Sequence, residues 1–227
     1  MARDDVFLVR HNTIPAVGES NAERAVINRF GFQVVVDFFT QLILSGFGYH
    51  MQIGTEDAPV ASTTSIDDLL VWMVKDNPAG SALIPLLYEV NIGNFTTATL
   101  VISMLEADKD KVRWSSGGTA FVPTNLRGDD LNAATGDSYV GTDVTVAAKS
   151  AVPNSVELAR LQHSEDLIAD PGNGQLSARP IIYSVKERPM LVLVDASSLL
   201  AHHGAATADV NSYGVMQFAQ FAKSLIV

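Results

Sequence analysis

Apolar and polar residues alternate with a period of two along much of this sequence, and this alternation constrains the fold more than any other feature. It is clearest at residues 47–54, whose large apolar members are Phe47, Tyr49, Met51 and Ile53. Successive side chains of a β-strand point to opposite faces of a sheet, so the pattern predicts a strand with one buried face. Similar alternation at residues 139–148 and 213–221 predicts two more strands.

Further strands are predicted at residues 33–44, 66–74, 83–92, 95–106, 156–161, 180–185 and 190–194. The first of these also fits one face of a helix, but its β-branched run Val34-Val35-Val36 favours a strand. Within 66–74, Leu70, Trp72 and Val74 are expected on one face. The strands 83–92 and 95–106 are expected to pair antiparallel. Pro85 is expected at a bulge or an outer edge, because proline has no backbone N–H to donate.

Turn signals separate these strands every 8 to 15 residues. Pro and Gly mark tight turns at residues 77–80 and 170–174, Lys109 to Lys111 forms a charged tip, and residues 127–137 are small and polar. Nine or ten short strands without interleaved helices are typical of an antiparallel sandwich or barrel. We therefore predict an all-β, antiparallel β-sandwich, and a single jelly roll is the two-sheet form that best suits the strand count.

Residues 1–30 are predicted to form an N-terminal arm, and residues 31–227 a single sandwich domain. The first twenty residues mix charge with Pro15 and Gly18 without a period. A short helix is expected from Ser20 to Arg29, with Glu23 in the position of a capping-box carboxylate.

The segment from Ser116 to Arg127 is predicted to be a corner between sheets. Gly117 and Gly118 open backbone conformations that other residues avoid, and Pro123 ends any strand that reaches it. The segment therefore combines a turn, a short extended piece and a stop.

Composition limits the partners that this chain is expected to have. The net charge of −10 argues against holding nucleic acid by neutralising phosphates. Charged residues make up only 18% of the chain and hydrophobic residues 47%. This balance fits either a large core or a surface covered by copies of the same chain. Neither a leader peptide nor a membrane span is expected, because the N-terminus is charged and no apolar run approaches 18 residues.

No residue is assigned a catalytic, cofactor-binding or metal-binding role, and the chain is predicted not to be an enzyme. A phosphate-binding glycine loop and a nucleophile elbow are both missing, and without cysteine there is no Cys-ligated metal site. The adjacent pair His202-His203 is interpreted as loop histidines near a hairpin tip, whose side chains point to opposite faces if the chain is extended. His50 is expected on the solvated face of its strand.

Weaker motifs have ordinary explanations. The carboxylate pairs Asp67-Asp68 and Asp129-Asp130 are interpreted as solubilising loops rather than calcium sites. The glycosylation sequon at residues 94–96 and the adhesion tripeptide at residues 127–129 are short enough to arise by chance. Trp72 and Trp114 are interpreted as core rather than as the walls of a sugar-binding cleft. The remaining histidines, His11 and His163, form no ligand pattern.

Four stretches resemble small structural proteins of bacteriophage virions. They are Gly-Gly-Thr-Ala-Phe-Val-Pro-x-Asn-Leu at 117–126, Val-Asp-Phe-Phe-Thr-Gln at 36–41 leading to Gln-Ile-Gly-Thr at 52–55, Asn-Pro-Ala-Gly-Ser-Ala-Leu-Ile-Pro at 77–85, and Pro-Met-Leu-Val-Leu-Val at 189–194. The resemblance covers roughly residues 34–125 and the last forty residues. Residues 137–175 depart from it.

The resemblance implies a jelly-roll subunit that builds or decorates an icosahedral virion shell, as a trimer or higher ring, together with other virion proteins and without a cofactor. Two alternatives stay open. A receptor-binding head of a phage tail or fibre would carry its specificity in loops, with residues 126–137 and 201–212 as candidates. A cupin-like enzyme would need histidines and a carboxylate to meet inside the barrel.

Overall fold

A computed structural model describes residues 38–63, 70–94, 100–128, 132–148, 154–164, 181–205 and 210–226. The N-terminal arm, the helix expected from Ser20 to Arg29 and the turn expected at residues 170–174 lie outside these ranges.

Most of the described residues lie in strands. A helix, α1, spans Phe38–Leu44, and a short 3-10 helix spans Lys223–Leu225. The strands are β1 Gly48–Ile53, β2 Val60–Ala61, β3 Leu70–Asn77, β4 Ser81–Asn94, β5 Leu100–Asp108, β6 Trp114–Ser116, β7 Thr119–Ala120, β8 Thr124–Asn125, β9 Ser138–Val146, β10 Ser155–Ser164, β11 Ile181–Ser184, β12 Leu193–Val194, β13 Ser197–Ala205 and β14 Asn211–Ala222.

These strands form two antiparallel sheets of seven strands each. The first sheet has the order β11-β4-β14-β1-β8, with β12 added beside β4 and β2 beside β14. The second has the order β10-β5-β13-β3-β9-β6, with β7 added beside β9. The main core contains residues of both sheets, among them Met51 and Phe218 of the first and Trp72 and Leu199 of the second. The predicted all-β architecture of packed antiparallel sheets is therefore confirmed.

The strand predicted at residues 47–54 is confirmed, and it shows why alternation is a reliable signal. In β1, Tyr49, Met51 and Ile53 are buried, while His50 and Gln52 between them are half-exposed. The strand lies between β14 and the short edge strand β8. One face of β1 therefore joins the core, and the other belongs to the outside of the first sheet.

The strand predicted at residues 33–44 is wrong for its described part, because Phe38–Leu44 is helical. The β-branched run that favoured a strand ends at Val36, before the helix begins. Within the helix, the buried Leu42 and the partly buried Phe39 pack against the core at helical spacing. These two apolar contacts lie on one face of a helix of about two turns.

The pairing predicted between residues 83–92 and 95–106 is also wrong. Residues 83–92 lie in β4 of the first sheet, and the described residues 100–106 lie in β5 of the second. The chain crosses from one layer to the other between them, and local alternation carries no information about such a crossing. Pro85 does lie at a bulge, since Gln217 pairs with Leu87 and Phe218 pairs with Pro85. That part of the prediction is confirmed.

A second bulge changes the faces of β3. Its pairing with β9 shifts between Val71 and Met73, which places Trp72 in the main core and Val74 in a separate cluster. Trp72 and Val74 were expected on one face, and the extra residue at the bulge explains why they are not. The core position predicted for Trp72 is confirmed, because its side chain is fully buried.

The corner predicted at Ser116 to Arg127 is confirmed. On its first side β6 and β7 pair with β9 in the second sheet, and on its other side β8 pairs with β1 in the first sheet. Gly117 and Gly118 have φ angles of 73° and 76°, which favour glycine. This segment therefore carries the chain from one layer to the other.

Candidate functional site

The prediction of a loop at residues 201–212 is wrong for the described part, because residues 197–205 form β13, a central strand of the second sheet. His202 and His203 are both buried, and they point to opposite faces as an extended chain requires. Their polar side chains hid the strand from sequence reasoning. The signal that would have found it is the apolar run Leu199-Leu200-Ala201 just before them.

His203 links the two sheets through hydrogen bonds at both ring nitrogens. Its Nδ1 lies 2.9 Å from Ser103 Oγ on β5, and its Nε2 lies 2.9 Å from Ser212 Oγ on β14. The Trp72 ring packs against the imidazole with a centroid distance of 4.6 Å. A buried imidazole with both nitrogens partnered serves as a polar cross-link inside the core.

A charge cluster lies on the outer side of the second sheet, defined by Arg113, Glu106, Asp108, Asp76 and Ser198. Arg113 Nη1 lies 3.0 Å from Glu106 Oε1 and 2.9 Å from Asp108 Oδ2, and all three side chains are at most 3% exposed. The backbone N–H of Arg113 donates to Ser198 Oγ, whose hydroxyl donates to Asp76 Oδ1 at 2.6 Å. The cluster therefore connects β3, β5 and β13.

Arg113 also connects this cluster to the far side of the sheet. Its Nε and Nη2 both donate to the carbonyl oxygen of Ala147, just after β9, at 2.8 and 2.6 Å. Because β5 and β6 are separated by three strands in the sheet, residues 109–113 have to cross it. Arg113 thereby binds the crossing residues to β5, to β13 and to the chain just after β9.

Burial raises the pKa of two carboxyl groups in the charge cluster. Burial raises the pKa of Asp76 to about 6, and the hydrogen bond from Ser198 and the charge of Lys75 oppose that rise. Burial also raises the pKa of Asp108, against the opposing charge of Arg113. His202 Nε2 lies 3.6 Å from Glu106 Oε2 at the edge of the cluster. The Arg113 guanidinium thus forms ion pairs with two carboxyl groups that are buried away from water.

A second buried cation lies where the two sheets approach the segment before β9. Lys75 Nζ donates to the carbonyl oxygens of Thr135 and Gly136, at 2.6 and 3.0 Å. Burial lowers the pKa of Lys75 to about 8, although nearby Asp76 and Asp137 act in the opposite direction. Its ammonium group ties residues 135–136 to β3.

An uncharged cleft of about 280 Å³ opens beside this segment. Its aromatic lining comes from Phe47, Tyr49 and Phe221. The Gln220 amide at its edge bonds within the protein at both ends, since Oε1 accepts from the Thr135 N–H and Nε2 donates to Asn77 Oδ1, both at 2.8 Å. Gln220 thus links β14 to β3 and to the segment before β9.

The outer face of the first sheet carries mostly uncharged side chains. Strand pairing brings together on this outer face the side chains of Thr124, His50, Gln52, Tyr213, Val215, Gln217, Leu87, Glu89, Asn91 and Ile181. Most of them are half-exposed, and Ile181 is 49% exposed. Glu89 carries the one carboxylate among them. Sequence reasoning found His50 on the outer side of its strand but missed the face, because the face exists only through pairing.

The remaining sequence candidates contribute little to a site. Asp67, Asp68, Asp129, Asp130 and His11 lie outside the described residues, as do the last residue of the adhesion tripeptide and most of the sequon. Trp114 stacks on Tyr139 at a centroid distance of 4.0 Å over the apolar cluster beneath it. Within the described ranges, no three histidine, aspartate or glutamate side chains are placed to hold a metal ion.

Comparison with protein-family models, with curated proteins and with solved structures finds no match to this chain. Among the described helices, none has the length and apolar character needed to cross a membrane.

Proposed function

We propose that this chain is a structural subunit of a bacteriophage virion. It builds or decorates an icosahedral shell by assembling with copies of itself, as a trimer or higher ring, and with other virion proteins. It acts without catalysis or a cofactor. The resemblance of four sequence stretches to such proteins supports the kind of assembly, and the distribution of charge supports the self-association.

The strand order supports the jelly-roll part of this proposal. If the eight strands β1, β3, β4, β5, β10, β11, β13 and β14 are numbered one to eight along the chain, the sheets read 1-8-3-6 and 2-7-4-5. All but one of the connections between successive strands then cross between sheets. This arrangement is that of two interlocked Greek keys, which is how a jelly roll is wound.

The observation that carries the self-association is the placement of charge. Five charged side chains of the described residues are buried, namely Lys75, Asp76, Glu106, Asp108 and Arg113. Only 18% of the chain is charged, so this burial leaves the surface with still fewer charges. The outer face of the first sheet, with one carboxylate among ten residues, is such a surface. Charge depletion of this kind is typical of the centre of protein interfaces.

The alternative, a receptor-binding head, has less support. One of the two loops that would carry its specificity, residues 201–212, contains a buried central strand through residue 205. A binding loop requires exposed side chains.

Size-exclusion chromatography with light scattering, followed by negative-stain imaging of the assemblies, tests the proposal. We expect rings or closed shells of this chain alone at micromolar concentration. A stable monomer over the same range would count against a self-assembling subunit.

A further inference from the structure

We infer that the outer face of the first sheet binds the same face of a second copy, around a two-fold axis that runs along β14. This inference rests on the proposed self-association and adds the surface, the symmetry and the contacting residues. The partner is another copy of this chain because the groups on the face are self-complementary at matching positions.

The pairing register places these groups. Val215 on β14 pairs with Gln52 on one side and with Glu89 on the other. The three residues therefore lie on one line across the sheet, with Gln52 and Glu89 separated by two strand spacings, about 10 Å. One end of the line offers hydrogen-bond donors, and the other end offers a carboxylate.

The donor end is set by a hydrogen bond on β1. His50 Nε2 lies 3.1 Å from Gln52 Oε1, and a carbonyl oxygen can only accept, so the imidazole carries the hydrogen. The Gln52 amide then has its NH₂ group to donate outward. Glu89, across β14, can only accept when it is ionised.

A two-fold axis along β14 exchanges the two ends of this line. Rotation about that axis turns the face over, so β1 of one copy lies above β4 of the other while positions along the strands are kept. Gln52 of each copy then faces Glu89 of its partner, and Val215 faces Val215 at the axis. Such an isologous contact makes each interaction twice. Rotation about an axis across the strands would instead place Glu89 against Glu89, which is unfavourable.

The area of the face is smaller than that of a stable dimer interface, so a single contact between two copies is expected to be weak outside a larger assembly. Five strands at about 4.8 Å and six residues at about 3.3 Å give a flat area of about 500 Å². A stable two-protein complex buries about 800 Å² on each partner. The pair contact is therefore expected to need the other contacts of a ring or shell to persist.

Introduced cysteines test the geometry directly, because the natural sequence has none. The variant Val215→Cys places a thiol at the axis, and Lys111→Cys places one on the exposed tip after β5. We expect a short bis-maleimide to cross-link Val215→Cys into dimers about tenfold faster than Lys111→Cys, since reaction follows proximity. Equal rates in assembled protein would overturn the inference.

Charge exchange tests the contacts. By sedimentation, Glu89→Lys is expected to raise the dissociation constant about tenfold, because its ammonium faces the Gln52 and His50 donors. The double variant Glu89→Lys/Gln52→Glu is expected to recover the wild-type constant, which also shows that the fold survives. Glu187→Lys, an equal charge change in an exposed turn, is the control and is expected to leave association unchanged.

The outcomes separate this inference from the proposed function. If the chain assembles and Glu89→Lys behaves like Glu187→Lys, the face is wrong and the self-assembling subunit stands. If the face instead retains a carbohydrate while the chain stays monomeric, both are wrong. If it retains another virion protein while the chain stays monomeric, this inference and the self-association are wrong, and the role as a virion subunit stands. A monomer at about 100 µM in sedimentation also overturns both, because an assembly that forms at micromolar concentration would be largely complete at that concentration.

Discussion

Replacing Arg113 with methionine should destabilise the fold far more than the same replacement at Arg160. Both arginines pair with carboxylates on the outer side of the second sheet, but their exposure differs. The Arg113 side chain is 1% exposed and its partners at most 3%, whereas Arg160 and Glu157 are 49% and 38% exposed at a distance of 2.7 Å. The two replacements remove the same charge and leave chains of equal net charge.

The expected cost follows from what each replacement leaves behind. Arg113→Met strands Glu106 and Asp108 in the interior without their cation, and breaking a buried pair from one side costs about 3–5 kcal/mol. The carbonyl of Ala147 loses two donors as well. Arg160→Met leaves Glu157 in water, and an exposed pair contributes about 0–1 kcal/mol.

Urea unfolding followed by tryptophan fluorescence measures both variants, because Trp72 lies in the main core and Trp114 packs against the smaller apolar cluster of the second sheet. A third variant, Glu106→Gln/Asp108→Asn/Arg113→Met, should recover part of the loss, because it removes the stranded charges too. Similar losses for Arg113→Met and Arg160→Met would refute the reasoning. So would a triple variant less stable than Arg113→Met.

Three further predictions concern the interior. The raised pKa of Asp76 means that its ionised form costs stability above about pH 6, and that this cost disappears as pH falls toward the ordinary value of 3.8. Between pH 7.5 and pH 5, wild type should therefore gain about 1 kcal/mol relative to Asp76→Asn in urea unfolding, and a constant difference would contradict this. His203→Leu leaves the Ser103 and Ser212 hydroxyls without their imidazole partner and should lower the free energy of unfolding by about 2–4 kcal/mol. His50→Gln, on the outer face, should lower it by less than about 1 kcal/mol. Equal losses of stability in thermal unfolding would exclude a stabilising role for the His203 hydrogen bonds. Gly214→Ala places a Cβ 2.6 Å from the buried Trp72 ring, so it should lower the free energy of unfolding by about 1–3 kcal/mol and alter the near-UV circular dichroism spectrum. The control Gly80→Ala has open space around its Cβ but a φ of 83°. It should cost about 1 kcal/mol and leave that spectrum unchanged.

Alternation in the sequence found the strands in which one face is buried and the other is wet. β1 and β14 are of this kind, with half-exposed residues between buried ones. β13 is buried along its whole length, so its two histidines broke the apolar run instead of alternating with it. The fourteen described strands exceed the nine or ten predicted, and strands of two residues such as β7 and β8 leave no pattern to read.

Sequence reasoning missed the charge cluster for a different reason. The charge cluster joins Asp76, Glu106 and Ser198, which are far apart in the chain and meet only because β3, β5 and β13 are neighbours. Each looked like an ordinary polar residue of a surface. Burial of a charged residue is decided by its partners, and partners are set by topology rather than by local composition.

The part of the chain between β5 and β10 connects the charge cluster with the outer face of the first sheet. It supplies β6, β7 and β9 to the second sheet and β8 to the first, so it widens both layers. Arg113 holds the beginning of this segment, while Thr124 on β8 pairs with His50 at the edge of the outer face. Loss of the buried ion pairs should therefore loosen β8 as well as the crossing at residues 109–113. Arg113→Met is therefore expected to weaken association as well as folding, whereas Arg160→Met is expected to leave association unchanged.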